Sequence, residues 1–200
     1  MHMWISLLVA LSFVILSSGQ PHPTISETFA ARVEVERDTR GEIHRGAGDI
    51  CRDQINKKGL EAYNITLGNN TNDEVVYSLE RYDLDPPMEY HIRGVSKDPH
   101  LHCSEERPHD PEFQPFFGWL AEAKDLGTME IKDLRVHAYG IENGGIRLLL
   151  GVDPEDSAKP MILERGTPGE QIYIIFKTFS TTVDPRVFDI PEMCRRPPPK

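Results

Sequence analysis

His100, His102, Cys103, His109 and Asp110 form the densest cluster of metal-ligating and proton-carrying side chains in the chain. Imidazole and thiolate are zinc ligands, and on a strand His100 and His102 would share a face. Pro99, Pro108 and Pro111 make this segment read as a loop, and a secretory-route cysteine is more often paired than metal-bound. No metal site is therefore expected. Asp153, Glu155 and Asp156 beside Pro154 lack calcium-loop spacing and read as a polar turn. There is no G-x-S-x-G elbow and no Cys-His signature, and GEIHRGAGD at 41–49 lacks the spacing of a phosphate loop. The acidic residues are numerous, but no spacing singles out a pair. The expectation is a non-enzyme with no catalytic residue and no cofactor.

Apolar surface is more informative than polar chemistry here. Phe113, Phe116, Phe117 and Trp119 put more aromatic surface into seven residues than one short helix face hides. Ile172, Ile174 and Phe176 share a strand face opposite Lys177, and Ile146, Leu148, Leu150 and Val152 share another. Ligand pockets are mostly apolar with few polar anchors, so a binding protein needs no catalytic motif. The residues expected to line such a pocket are Phe116, Phe117, Trp119, Leu148, Leu150, Ile172, Ile174 and Phe176.

The elements that must position them are mainly strands. Alternating apolar residues mark Phe29 to Val35, and EVVYSLERY at 74–82 and MEYHIRGV at 88–95 read as strands that turn at Asp85-Pro86-Pro87. Residues 128–139 alternate through Met129, Ile131, Leu134 and Val136, with a slip near Asp133. GIRLLLGV at 145–152 follows an Asn-Gly-Gly hairpin signal, and EQIYIIFKTF at 170–179 is the clearest strand. A helix is predicted over FQPFFGWLAEAK at 113–124, with Pro115 in its first turn, and a shorter one over 49–58. Short strands punctuated by Gly and Pro predict an antiparallel, strand-dominated domain.

Residues 4–16, WISLLVALSFVIL, are too short for a membrane span, which needs about 20 apolar residues. Ser17 and Gly19 then suit a signal-peptidase site, so residues 1–19 read as a signal peptide and 20–194 as a single domain with a basic, Pro-rich tail at 195–200. Secretion without stable membrane insertion is expected. The sequons at Asn64 and Asn69 fit that route as a glycosylated surface loop. The net charge of −10 disfavours nucleic acid as a partner. Three cysteines, Cys51, Cys103 and Cys194, suggest one internal bridge and one leftover thiol. Cys194, behind Val187-Phe188 and Pro191, reads as the covalent clamp of a strand exit to a point upstream.

DPRVFDIPEMC at 184–194 resembles the closing segment of ependymin and ependymin-related proteins, through Asp184, Pro185, Val187, Phe188, Pro191 and Cys194. Residues 88–103, a strand and a polar loop ending Cys-Ser, are similar to the family's central strand and its cysteine. FQPFFGWLAEAK and GIRLLLGV resemble segments of secreted proteins with LolA-like domains. Cys51 has no counterpart, and RVHAYGI at 135–141 replaces the family's Trp-containing strand. The resemblance implies a Cys103–Cys194 bridge. It also implies a mainly β (α+β) fold: a strongly curved antiparallel sheet or half-barrel with one or two helices over an apolar cavity. The function it implies is the holding of a lipid or fatty-acyl ligand. The rival expectation is an extracellular adhesion or matrix protein of ependymin type, calcium-associated and dimeric through Cys51.

Overall fold

The computed structural model describes residues 22–66, 73–95 and 101–195. The signal segment, the Asn69 sequon, His100 and the tail beyond Arg195 lie outside the described residues. The strands are β1 (Phe29–Thr39), β2 (Glu42–Asp53), β3 (Lys58–Thr66), β4 (Asp73–Arg81), β5 (Met88–Val95), β6 (His102–Glu106), β7 (Lys124–Ile131), β8 (Leu134–Asn143), β9 (Ile146–Val152), β10 (Pro160–Thr167) and β11 (Glu170–Ser180). They form one open antiparallel sheet in the order β6-β5-β4-β3-β2-β1-β11-β10-β9-β8-β7. Two meanders, β1–β6 and β7–β11, are thus joined where β1 pairs with β11. The expected strand-dominated, antiparallel fold is what the chain adopts.

Tight hairpins follow from local chemistry. Gly144 and Gly145 take φ of 59° and 81° between β8 and β9, as a two-residue turn with the twist of its strands requires. Lys132 and Asp133 do the same between β7 and β8, at φ of 49° and 61°. The apparent register slip near Asp133 is therefore a hairpin. Ile131 pairs with Leu134 and Met129 with Val136 across it.

The sheet is strongly curved. In a flat sheet β3 and β10 would stand four spacings apart, about 19 Å, yet Arg165 Nη2 reaches Glu61 Oε1 at 3.3 Å. Arg37 on β1 likewise meets Glu74 on β4 at 2.9 Å. Glycines on β2 explain the bend. A Cβ on Gly46 or Gly48 would collide with the β3 backbone at Asn64 or Ala62. Glycine in a strand marks such corners, where a second backbone lies in the space of a side chain.

The concave face buries Phe29, Ala31, Val33 and Val35 of β1 with Ile50, Ile65, Leu150, Leu163 and Ile174. On the convex side, the segment after β11 runs back over the first meander as a strap with two 3-10 turns, Pro185–Phe188 and Glu192–Arg195. Phe188 is buried there with Leu60, Leu79, Tyr90 and Ile92. Arg81 Nη1 donates to the Phe188 carbonyl at 3.0 Å, and Cys194 is bonded to Cys103 on edge strand β6. The pairing implied by the family resemblance is thus present.

Two helix expectations are corrected. Residues 113–123 form an extended loop with one 3-10 turn, Gly118–Glu122, Lys124 opens β7, and residues 49–58 are the β2–β3 hairpin. Gly118 and a run of aromatics weaken the first segment, since aromatics lose side-chain freedom in a helix and a short helix does not repay its nucleation. No α-helix covers the sheet among the described residues, and no helix there is long and apolar enough to cross a membrane.

Candidate functional site

The aromatic loop closes over the concave face, and buried polar groups hold it in place. Arg52, at 5% exposure, donates from Nη2 to the Gln114 carbonyl at 2.8 Å and lies 4.1 Å from the centre of the Phe113 ring. The Phe117 N–H donates to Glu27 Oε1 at 2.9 Å. Burial pushes the Glu27 carboxyl above its ordinary range, while that N–H pulls it back. The loop then delivers Phe116 and Phe117 to Phe29, with ring centres 5.4 Å away in each case, and Phe179 stacks on Phe29 at 5.0 Å.

All eight sequence-predicted pocket residues belong to this loop or to the strands β9 and β11. Phe117, Leu150 and Ile174 are at most 3% exposed and belong to the buried core of this face. Phe116, Trp119, Ile172 and Phe176 are half-buried around it. Leu148 is half-buried and sits in register with Arg165. β9 and β11 do not touch, because β10 lies between them and supplies Leu163 and Arg165. The apolar wall therefore has a charged insertion that the sequence reading missed.

Arg165 is the polar centre of this face. Its Nη1 and Nη2 lie 3.5 and 3.3 Å from the Glu61 carboxylate, and its guanidinium is 5.3 Å from the centre of the Phe116 ring. Burial opposes its charge, but Glu61 more than compensates and raises its pKa. Tyr63, two residues along β3, packs on the same core, and burial raises its phenol above the ordinary value. The signal that could have found Arg165 was its place two residues after Leu163, on the face that also carries Ile172.

The residues first considered for metal binding separate. Cys103 is in the disulfide, and alternation along β6 puts it on the face opposite His102 and Ser104. Thus β6 replaces the expected loop at 102–106. Asp153 accepts the Glu155 N–H at 3.0 Å and the Lys159 ammonium at 3.0 Å, so that segment is a self-bonded turn. Asn64 and Thr66 are exposed at the end of β3, not in a loop. They help line an outer-face groove of about 530 Å³ with Glu34, Glu36 and Arg45.

Cys51 is the leftover thiol. It is 4% exposed, in the layer between sheet and strap, and burial raises its pKa to about 11. Against an ordinary value of 9.0, its thiolate fraction at pH 8 is lower by roughly a hundredfold. Iodoacetamide at pH 8 is expected to leave native Cys51 unmodified and to label it fully in guanidinium, as peptide mass spectrometry would read. Rapid native labelling would contradict this burial. A dimer linked through Cys51 needs that layer to open first.

No family model matches this chain, and no curated protein does.

Proposed function

We propose that the protein is a secreted, non-enzymatic carrier of ependymin-related, LolA-like type that holds a lipid or fatty-acyl chain against its concave face. The observation that supports this most is Arg165, a guanidinium paired with Glu61 beside half-buried Phe116 on a largely apolar wall. Pockets for amphipathic ligands combine such a wall with one or two polar anchors. Guanidinium carries five N–H donors, and the two contacts to Glu61 are long, which leaves donors for a ligand carboxylate. The acyl chain would gain about 0.8 kcal/mol per buried CH₂ against Trp119, Ile172 and Phe176.

Mass spectrometry of lipid retained by the secreted protein, with displacement of a fluorescent fatty acid, tests the reading. Arg165→Ala is expected to weaken fatty-acid binding about tenfold, or about 1.4 kcal/mol, and to leave the matching fatty alcohol unaffected. A protein that carries no lipid and refuses the fluorescent acid is not a carrier. Equal losses for acid and alcohol would remove Arg165 from the anchor role.

A further inference from the structure

The strand register sets Arg52, Gly59, Glu80, Glu89 and Glu106 in one row across β2 to β6. Gly59 has no side chain, so Arg52 crosses it and pairs with Glu80 at 2.9 Å. Beyond Glu80 the row continues with two carboxylates directly opposite each other, Glu89 on β5 and Glu106 on β6. Like charges in that relation repel and destabilise a sheet. The side chain placed to compensate them is His91, two residues along β5 on the same face, whose Nε2 lies 3.3 Å from Glu89 Oε2 and 2.8 Å from Glu106 Oε1.

The imidazole does not bond to them in the ordinary way. Both ring nitrogens of His91 are buried, and neither has a hydrogen-bond partner. The Glu106 oxygen is close to Nε2 but off the hydrogen-bonding direction. Two ligand atoms at 2.0–2.1 Å from one tetrahedral ion stand about 3.3 Å apart, and they do so off each other's lone-pair axes. One donor atom from each of Glu89, His91 and Glu106 fits within 4.8 Å of the others. A cavity of about 250 Å³, lined by His91, Arg93, His102, Ser104 and Glu106, opens beside them.

We propose that Glu89, His91 and Glu106 bind a zinc-class divalent cation that clamps edge strand β6 to β5. Imidazole nitrogen with carboxylate oxygen is a zinc donor set, whereas calcium takes oxygen alone. Three protein ligands leave one position for water from the adjoining cavity. The ion would neutralise the Glu89–Glu106 pair as Arg52 neutralises Glu80. This site does not depend on the lipid reading.

The test uses the full secreted chain, stripped with EDTA and titrated calorimetrically with zinc chloride, with cobalt(II) as a spectroscopic substitute. One equivalent of zinc is expected, with a rise in melting temperature and cobalt d–d bands of a tetrahedral nitrogen–oxygen site. His91→Ala and Glu106→Gln should each weaken zinc binding at least tenfold. Glu106→Gln changes a largely exposed side chain and covers the case in which His91→Ala misfolds. His137→Ala, whose ring contacts Asp125 at the other end of the sheet, should leave binding intact. Failure to take up one equivalent, or unchanged uptake in H91A/E106Q, overturns the site.

Discussion

Cys103→Ser is expected to lower the folding free energy by about 4–5 kcal/mol, the chain-entropy value for a bridge spanning 91 residues. Native domains are stable by only about 5–15 kcal/mol, so little of this variant should accumulate folded. The loss follows from where the bridge acts. It fixes the end of the strap to edge strand β6, and the strap covers the convex side of the first meander through Phe188, Val187 and Ile190. Without it, that layer is held by apolar contact and by the Arg81 bond to the Phe188 carbonyl. Cys51→Ser should cost about 1–3 kcal/mol, the range for a buried hydroxyl short of partners. Yields of folded protein and urea midpoints of the two variants decide the matter. If Cys51→Ser proves the more damaging, the strap is not what stabilises this face.

Gly48→Ala should be nearly as disruptive, although it adds a single methyl group. That methyl would occupy the space of the Ala62 carbonyl oxygen and crowd Tyr63, so the β3 backbone itself would have to move. Overpacking a core with side chains that can shift costs about 1–3 kcal/mol, and a backbone obstacle puts Gly48→Ala at about 3 kcal/mol or above. Gly166→Ala is the matched control. Its Cβ would meet Arg147 and Gln171 only at 3.7 Å and beyond, so it should stay within about 1 kcal/mol of the parent. Thermal or urea unfolding of both variants reads the difference. A harmless Gly48→Ala would mean that the corner between β2 and β3 is softer than this packing indicates.

The legible and illegible parts of the fold divide along physical lines. β1 and β5 show in the sequence because one face is apolar and the other polar, so alternation marks them, whereas β9 and β11 show as apolar runs, since Leu149, Tyr173 and Ile175 pack on their second face as well. β2 does not, because at the corner its inward positions are Gly46 and Gly48, and alternation fails when the inward residue is glycine. β10 was hidden by Arg165 on its inward face. The β7–β8 hairpin carries Lys132 and Asp133 at positive φ, where sequence signals would put Gly or Asn. Of the candidate site, face alternation found the apolar wall. It could not find Arg165 with Glu61, or Glu89 with Glu106, since those neighbours arise from curvature and strand order. The covalent pairing came from a family resemblance, because spacing alone does not choose among three cysteines.

The burial of Cys51 also bears on the order of events during biosynthesis. Cys51 and Cys103 are made well before Cys194, so for a time the only pairing open to the nascent chain is the wrong one. Arrival of the strap changes both conditions together, bringing Cys194 to Cys103 and sealing Cys51 in the same layer. Exchange needs a thiolate with access to a disulfide sulfur, and the sealed Cys51 is protonated and enclosed. The strap thus acts as a latch in the folded chain: with the Cys103–Cys194 bridge made, Cys51, the remaining thiol of this sequence, is enclosed beside it.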